Sequence, residues 1–217
     1  MDGQIDDTLD EKQQSIVSIA ALTSKGDISR LAVALNAGLN AGQPVNKIKE
    51  ILVQLYAYCG FPRSINALNA FISVLEERRS KGVKDPEGSD ASPVSDSDKY
   101  QAGKKTLETL TGKEEKTLAG VNAFAPVIDT FLKEHLFADI FGRDILDYKE
   151  RELVTISALM SMAGVEPQLR GHMLIGIHVG ITEKQLQQIT EIIGKIIGSK
   201  EGDTGMQVLA SAITSQG

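Results

Sequence analysis

Three side chains in one stretch of this chain have the types needed for proton transfer. They are Glu150, Glu152 and His172, all within residues 146–182, LDYKERELVTISALMSMAGVEPQLRGHMLIGIHVGIT. A carboxylate and an imidazole on adjoining elements are the minimum for general acid–base work. Each also has an ordinary role. Acidic residues in a first helical turn complement the helix dipole and stay solvated. A single His on a half-apolar face is commonly structural. Counted from the break at Ala163-Gly164, Glu152 lies about 11 residues before and His172 about 5–8 after, so at ~1.5 Å per residue they differ in depth by several ångströms unless the helices cross steeply. Glu50 is the alternative carboxylate.

A second group sits in the first half, where Tyr56, Tyr58 and Cys59 precede Gly60-Phe61-Pro62. A thiol abutting the start of the next helix would have a lowered pKa and could serve a one-cysteine redox site; the plainer role is a small buried filler. Cys59 is the only cysteine. This rules out an intrachain disulfide, a Cys-x-x-Cys pair and a cysteine-based zinc site. No metal site is expected, because His172 and His178 point to different helix faces and His135 has no evident role. Arg170 suits a substrate carboxylate through paired hydrogen bonds.

The elements that must position these groups all read as helices. Leu153, Ile156, Leu159 and Met160 recur at three- and four-residue spacing. Pro167 restarts the pattern at a first-turn position, and Leu169, Met173, Leu174 and Ile177 line the next face. Gly180 ends that helix, and Thr182 with Gln185 forms a capping box for a third. Earlier, helices are expected from Asp10 to about Ser24, from Asp27 or Ser29 to Gly38 or Gly42, from Pro44 through Tyr56, and from Pro62 to Arg79. Residues 1–8 read as a frayed acidic terminus, and 80–98, rich in Ser, Asp, Gly and Pro, as a linker or surface loop. A short helix is expected over 99–112 and a longer one from Phe124 to about Leu136, with Phe124, Val127, Ile128, Phe131 and Leu132 as its stripe. A compact apolar turn follows at 137–142. Gly198 to Asp203 reads as the end of the isoleucine-rich helix 183–197, before a last short helix. No strand is expected.

Composition fits a helical core. The 217 residues are 41% hydrophobic and only 5% aromatic, with no Trp, so Leu, Ile, Val, Ala and Met must fill the interior. The net charge of −6 argues against nucleic acid or an anionic membrane as partner. No apolar run approaches the ~20 residues that span a bilayer, and the polar, acidic start is unlike a signal peptide. A cytoplasmic protein acting on a small molecule is the expectation, unless a leader has been removed.

The two halves resemble each other. Residues 9–22 set beside 146–159 without a gap, and 35–51 beside 173–189, bringing Gly38 onto Gly176 and Gly42 onto Gly180. This pattern implies a tandem duplication, with a first repeat and polar linker over 1–98 and a second over 99–217. Ser15 then stands at the Glu152 position, Gln13 at Glu150 and Ala34 at His172, so the acid–base pair exists only in the second copy. The Tyr56–Pro62 segment exists only in the first.

Two segments, LVTISALMSMAGVEPQLRGHMLIGIHVGIT and EILVQLYAYCGFPRSINALNAF, resemble the carboxymuconolactone decarboxylase family, which includes the alkylhydroperoxidase D proteins. The resemblance covers about 9–79 and 124–197. It implies an all-α bundle of two tandem repeats that assembles into a homo-oligomer, a dimer or trimer of the tandem chain. It further implies a cofactor-free decarboxylase acting on a small lactone or keto acid, with His172 and Glu152 handling protons. Cys59 would be a further catalytic group, and Arg170, Tyr56, Tyr58 and Glu50 would contact substrate. The family's peroxidases use two cysteines before the His. Here those positions are Val165 and Gln168, which leaves a single-cysteine peroxidase, or a non-catalytic helical oligomer, as the alternatives.

Overall fold

The computed structural model describes residues 7–93 and 98–214, and every regular element among them is helical. The acidic start at 1–6 and linker residues 94–97 lie outside the described residues. Helix α1 (Glu11–Lys25) begins at Asp10, whose side chain accepts from the Gln13 N–H while the Gln13 side chain accepts from the Asp10 N–H. It stops at Gly26, left-handed at φ 76°, where a Cβ would be strained. Asp27 caps α2 (Ile28–Asn40).

Helix α3 (Val45–Gln54) has no side-chain cap. Its first donors are satisfied by the acidic loop that follows the first helices. Val45 N–H donates to Pro86 O (2.9 Å) and Asn46 N–H to Glu87 O (2.8 Å). An Arg78–Asp85 ion pair at 2.7 Å anchors the same loop. Residues 83–90 are therefore a loop folded back onto α3, which resolves the choice between linker and surface loop. The single turn α4 (Tyr56–Cys59) and α5 (Phe61–Ser80) follow, divided by Gly60.

Helix α6 (Lys99–Thr111) is as expected, but the next segment is not one helix. It splits into α7 (Gly120–Phe124) and α8 (Pro126–Thr130), because Pro126 supplies no N–H to continue α7. Helix α8 then runs directly into a π-helical segment, Phe131–Ile140, so the expected apolar turn at 137–142 is helical to Ile140. Most of the expected stripe does not face a core: Phe124 is 90% exposed, Val127 60% and Phe131 59%, whereas Leu132 packs against a core cluster. The other face, Leu136, Phe137 and Ile140, packs with Leu110 and Phe141 in a small second core.

Helices α9 (Tyr148–Met160), α10 (Glu166–His178), α11 (Glu183–Ile196) and α12 (Ser199–Thr214) complete the fold. Asp147 and Glu150 make a second capping box, Thr182 and Gln185 a third. The expected terminator Gly198–Asp203 lies mostly inside α12, which is a long helix. Gly202 is there because α11 and α12 cross closely, and a Cβ on it would come 2.8 Å from the Gly194 Cα. The main core forms where α1 packs along α9, with Ile16, Ile19, Leu153 and Ile156 fully buried. Each such side chain contributes about 1.5–3 kcal/mol on burial.

Candidate acid–base site

Helix α9 is buried on every side from Arg151 to Met160. Such a helix has no solvated face on which a charge could rest. Glu152 is accordingly 0% exposed, and its Oε2 lies 2.8 Å from the His172 Nδ1, whose side chain is 14% exposed. The depth mismatch expected from residue counting disappears because the α9–α10 connection is a short loop rather than a point. Glu152 lies about 12 Å from the end of α9 and His172 about 9 Å into α10 at 1.5 Å per residue, a gap that two side chains span. A carboxylate at Nδ1 fixes the imidazole so that Nε2 is the working nitrogen. Among the described residues, no protein group hydrogen-bonds Nε2.

Tyr58 closes one side, its ring edge-on to the imidazole with centroids 5.7 Å apart. The Tyr58 hydroxyl, Glu152 Oε1 and Arg151 Nε are buried without a hydrogen-bond partner. Burial, reinforced by the Glu152 charge, pushes the Tyr58 phenol well above its ordinary pKa, so it is a neutral donor. Unpaired buried polar atoms are uncommon in folded proteins and mark places where a water or ligand group belongs.

Residues 1–72 match the model of the carboxymuconolactone decarboxylase family. Over 98 residues, 44% of this chain and 72% of the relative, the sequence is 24% identical to the 4-carboxymuconolactone decarboxylase of Acinetobacter baylyi. The family-matched segment carries Glu50, Tyr56, Tyr58 and Cys59. Glu152, Arg170 and His172 lie beyond it.

The remaining expected residues are dispersed by their contacts. Glu50 does not reach His172. It is 3% exposed and bound by Arg151 Nη2 (2.9 Å) and Arg143 Nε (3.0 Å). Glu150 is a capping residue paired with Lys47, as first-turn acids usually are. Arg170 turns away from the imidazole and donates to Ser211 on α12 (3.2 Å); two positions along a helix is more than half a turn. Tyr56 stacks on Phe61 with centroids 4.4 Å apart and leans on His135. The Cys59 thiol donates to Leu55 O at 3.1 Å. Burial pushes its pKa up, opposite to the activation expected of a redox site.

The residues that sequence reasoning missed are Arg151, Gln54 and Thr155. Arg151 Nη1 donates to Gln54 Oε1 (2.8 Å), and Gln54 Nε2 donates to Thr155 Oγ1 (3.0 Å). Arg151 lies over the Phe141 ring at 5.5 Å. The network joins α3 of the family-matched segment to α9 and holds the backbone on which Glu152 is carried. Its only sequence signal is an Arg and a Thr four residues apart on a helix that is otherwise apolar from 153 to 160 except for Ser157. Among the described residues, no group of His, Cys, Asp and Glu is placed to hold a metal ion. Among the described residues, no helix is long and apolar enough to cross a membrane.

Proposed function

We propose that this chain is a cofactor-free carboxy-lyase of the carboxymuconolactone decarboxylase type. The observation that carries the reading is the 2.8 Å His172–Glu152 contact beside a neutral Tyr58. Loss of CO2 from a carboxyl next to a lactone or keto carbonyl breaks a C–C bond and leaves its electron pair as an enolate. A donor must stabilise that charge, and an acid must protonate the carbon. Tyr58 O–H serves as the donor. Protonated His172 gives up the Nε2 proton, keeps its Nδ1–H on Glu152, and is reprotonated from solvent. The relative of known name supplies the first substrate to try, 4-carboxymuconolactone. The expected result is turnover that falls by about 10²–10⁴-fold in His172→Ala, the usual range for a general acid, and markedly in Glu152→Gln. Undiminished turnover in His172→Ala would sink the mechanism.

The two-copy organisation, 1–98 and 99–217, belongs to the same reading. The two helices that the alignment pairs, α1 and α9, both open on an Asp capping box, at Asp10 and Asp147. Gly42 and Gly180 are both left-handed. A Cβ on Gly38 would meet Ile19 at 3.2 Å and one on Gly176 would meet Ile156 at 3.0 Å, each isoleucine being the other's counterpart in the alignment. The outward ridge Val121, Phe124, Val127 and Phe131 supports self-association, since a run of exposed apolar side chains marks an interaction surface. A single-cysteine peroxidase is not favoured, because the Cys59 thiol is held protonated.

A further inference from the structure

A cleft of about 770 Å³ opens away from His172. It lies between α1 and α2, against the end of α11. Ser15 and Ala34 both line it, and these are the residues that the internal alignment sets opposite Glu152 and His172. A carboxylate and an imidazole reaching across from those positions, as Glu152 and His172 do in α9 and α10, would occupy the space. Two small side chains have left a hollow of ligand size, within the ~300–1,000 Å³ common for small-molecule sites.

Its chemistry is sorted along its length. The middle is apolar, from Leu22, Val33, Ala34 and Ala37. Ser15 and Ser18 have already donated their protons, to Lys12 O (2.7 Å) and Gln14 O (3.1 Å), so they offer only lone pairs and repel an anion. Cations gather at one end, where Arg30 and Lys195 line the cleft. Arg30 is held by Asp27 (2.7 Å) and by the Ile196 carbonyl. Lys195 is exposed, and among the described residues it has no ion pair. The single carboxylate in the lining, Glu11, is at the far end, about 16 Å away along α1 at 1.5 Å per residue. The formal charges in the lining therefore favour an anionic head at the Arg30–Lys195 end, and the apolar body runs from it over Ala34.

We infer that this cleft binds an elongated monocarboxylate with an apolar body, its carboxylate at Lys195 and Arg30, as a non-catalytic site separate from His172. The assignment of Ser15 and Ala34 as counterparts rests on the two-copy reading; the cleft and its charge order do not. The test is calorimetric titration of octanoate into the full chain, with four variants. Ala34→Trp fills the floor and is expected to weaken binding at least ~10-fold, a change of about 1.4 kcal/mol. Val33→Asp, on a side chain 69% exposed and so harmless to folding, places a like charge on the wall and is expected to weaken it comparably. Lys195→Glu is expected to weaken it roughly fivefold, as for other exposed pairs. His172→Ala leaves it unchanged. No octanoate binding, or binding that Val33→Asp and Ala34→Trp leave intact, overturns the inference. Loss in His172→Ala alone also overturns it, because the ligand then sits at the acid–base site, and the decarboxylase reading survives. Turnover of 4-carboxymuconolactone, measured in parallel, reports on that reading independently.

Discussion

At the scale of single residues, the contrast between Glu150 and Glu152 shows what sequence can and cannot reveal. Two positions apart at the start of α9, one is a partly exposed cap paired with Lys47 and the other is fully buried against His172. Spacing alone identified both and could not divide them, because the division depends on α10 lying over one side of α9. The same holds for Arg170 and Arg151, where the half-exposed residue was legible as a candidate and the wholly buried one was not. Two predictions belong here. Tyr58→Phe removes a buried hydroxyl that makes no well-formed hydrogen bond, only a loose approach to Thr155, so thermal denaturation should move by no more than the equivalent of ~0.5 kcal/mol. Turnover should nonetheless fall about 10-fold or more, because the enolate loses its donor. A large loss of stability with unchanged turnover would make the hydroxyl structural. For Cys59, the raised thiol pKa puts little thiolate at neutral pH. Iodoacetamide should alkylate it at no more than about a tenth of the rate of an unhindered thiol, with the rate rising only above pH 9, the ordinary value for the group. Fast alkylation at pH 7 would reopen the redox reading.

At the scale of elements, caps and most turn glycines were legible, Gly202 inside α12 excepted, and burial was not. Asp10, Asp27, Asp147 and Thr182 all cap as their types require. The region around the π-helix departs from the periodic pattern because Phe124, Val127 and Phe131 face outward while Asp129 and Lys133 face inward. Lys133 is 1% exposed, bound to Asp129 at 2.7 Å and to Glu115, while Tyr100 donates to Asp129 at 2.7 Å. Burial opposes ionisation of both Asp129 and Lys133. Hydrogen bonds outweigh it, lowering the Asp129 pKa and raising that of Lys133. The signs set a plateau. Asp129 contributes stability above its unfolded pKa and loses it as pH falls through the depressed folded value, below 3.8. Lys133 contributes below 10.5 and loses it as pH rises through its elevated folded value. Asp129→Asn should therefore cost about 3 kcal/mol at pH 7, the range for breaking a buried pair. Its deficit against the parent should shrink only below pH 4 on the acid side. Denaturant midpoints measured from pH 2.5 to 7 would show this, and a deficit already gone at pH 5 would contradict it. Gly103 supports the same packing. A Cβ there would fall 1.7 Å from the Lys133 carbonyl, so Gly103→Ala should force α6 from the π-helix and destabilise by more than about 2 kcal/mol.

At the scale of the whole molecule, the fold class was readable because every apolar pattern had helical period and turn residues stood between them. The surface was not, because periodicity does not say which side of a stripe meets protein and which meets solvent. Val121, Phe124, Val127 and Phe131 make the difference visible, being between 59% and 90% exposed. Four large apolar side chains within eleven positions exceed the scattered exposure normal for a soluble surface. The last residue of the ridge, Phe131, belongs to the same π-helical segment as His135, which touches Tyr56, itself stacked on the exposed Phe61. An interface here would extend toward Tyr56 and Phe61 of the family-matched segment. The parent chain should accordingly run in light scattering well above its 23.4 kDa chain mass. Phe124→Glu with Val127→Glu should reduce it to a single chain. Both positions are solvent-facing, so far-UV circular dichroism and the denaturant midpoint should barely move, by the ~0.5 kcal/mol typical of surface changes. Turnover measured on the same preparations then asks whether the His172–Glu152 pair depends on assembly. A monomer that retains the parent's rate confines the site to one chain, as the direct contact between α9 and α10 requires. A parent chain that is already monomeric would leave the ridge without its proposed occupant and withdraw self-association from the reading.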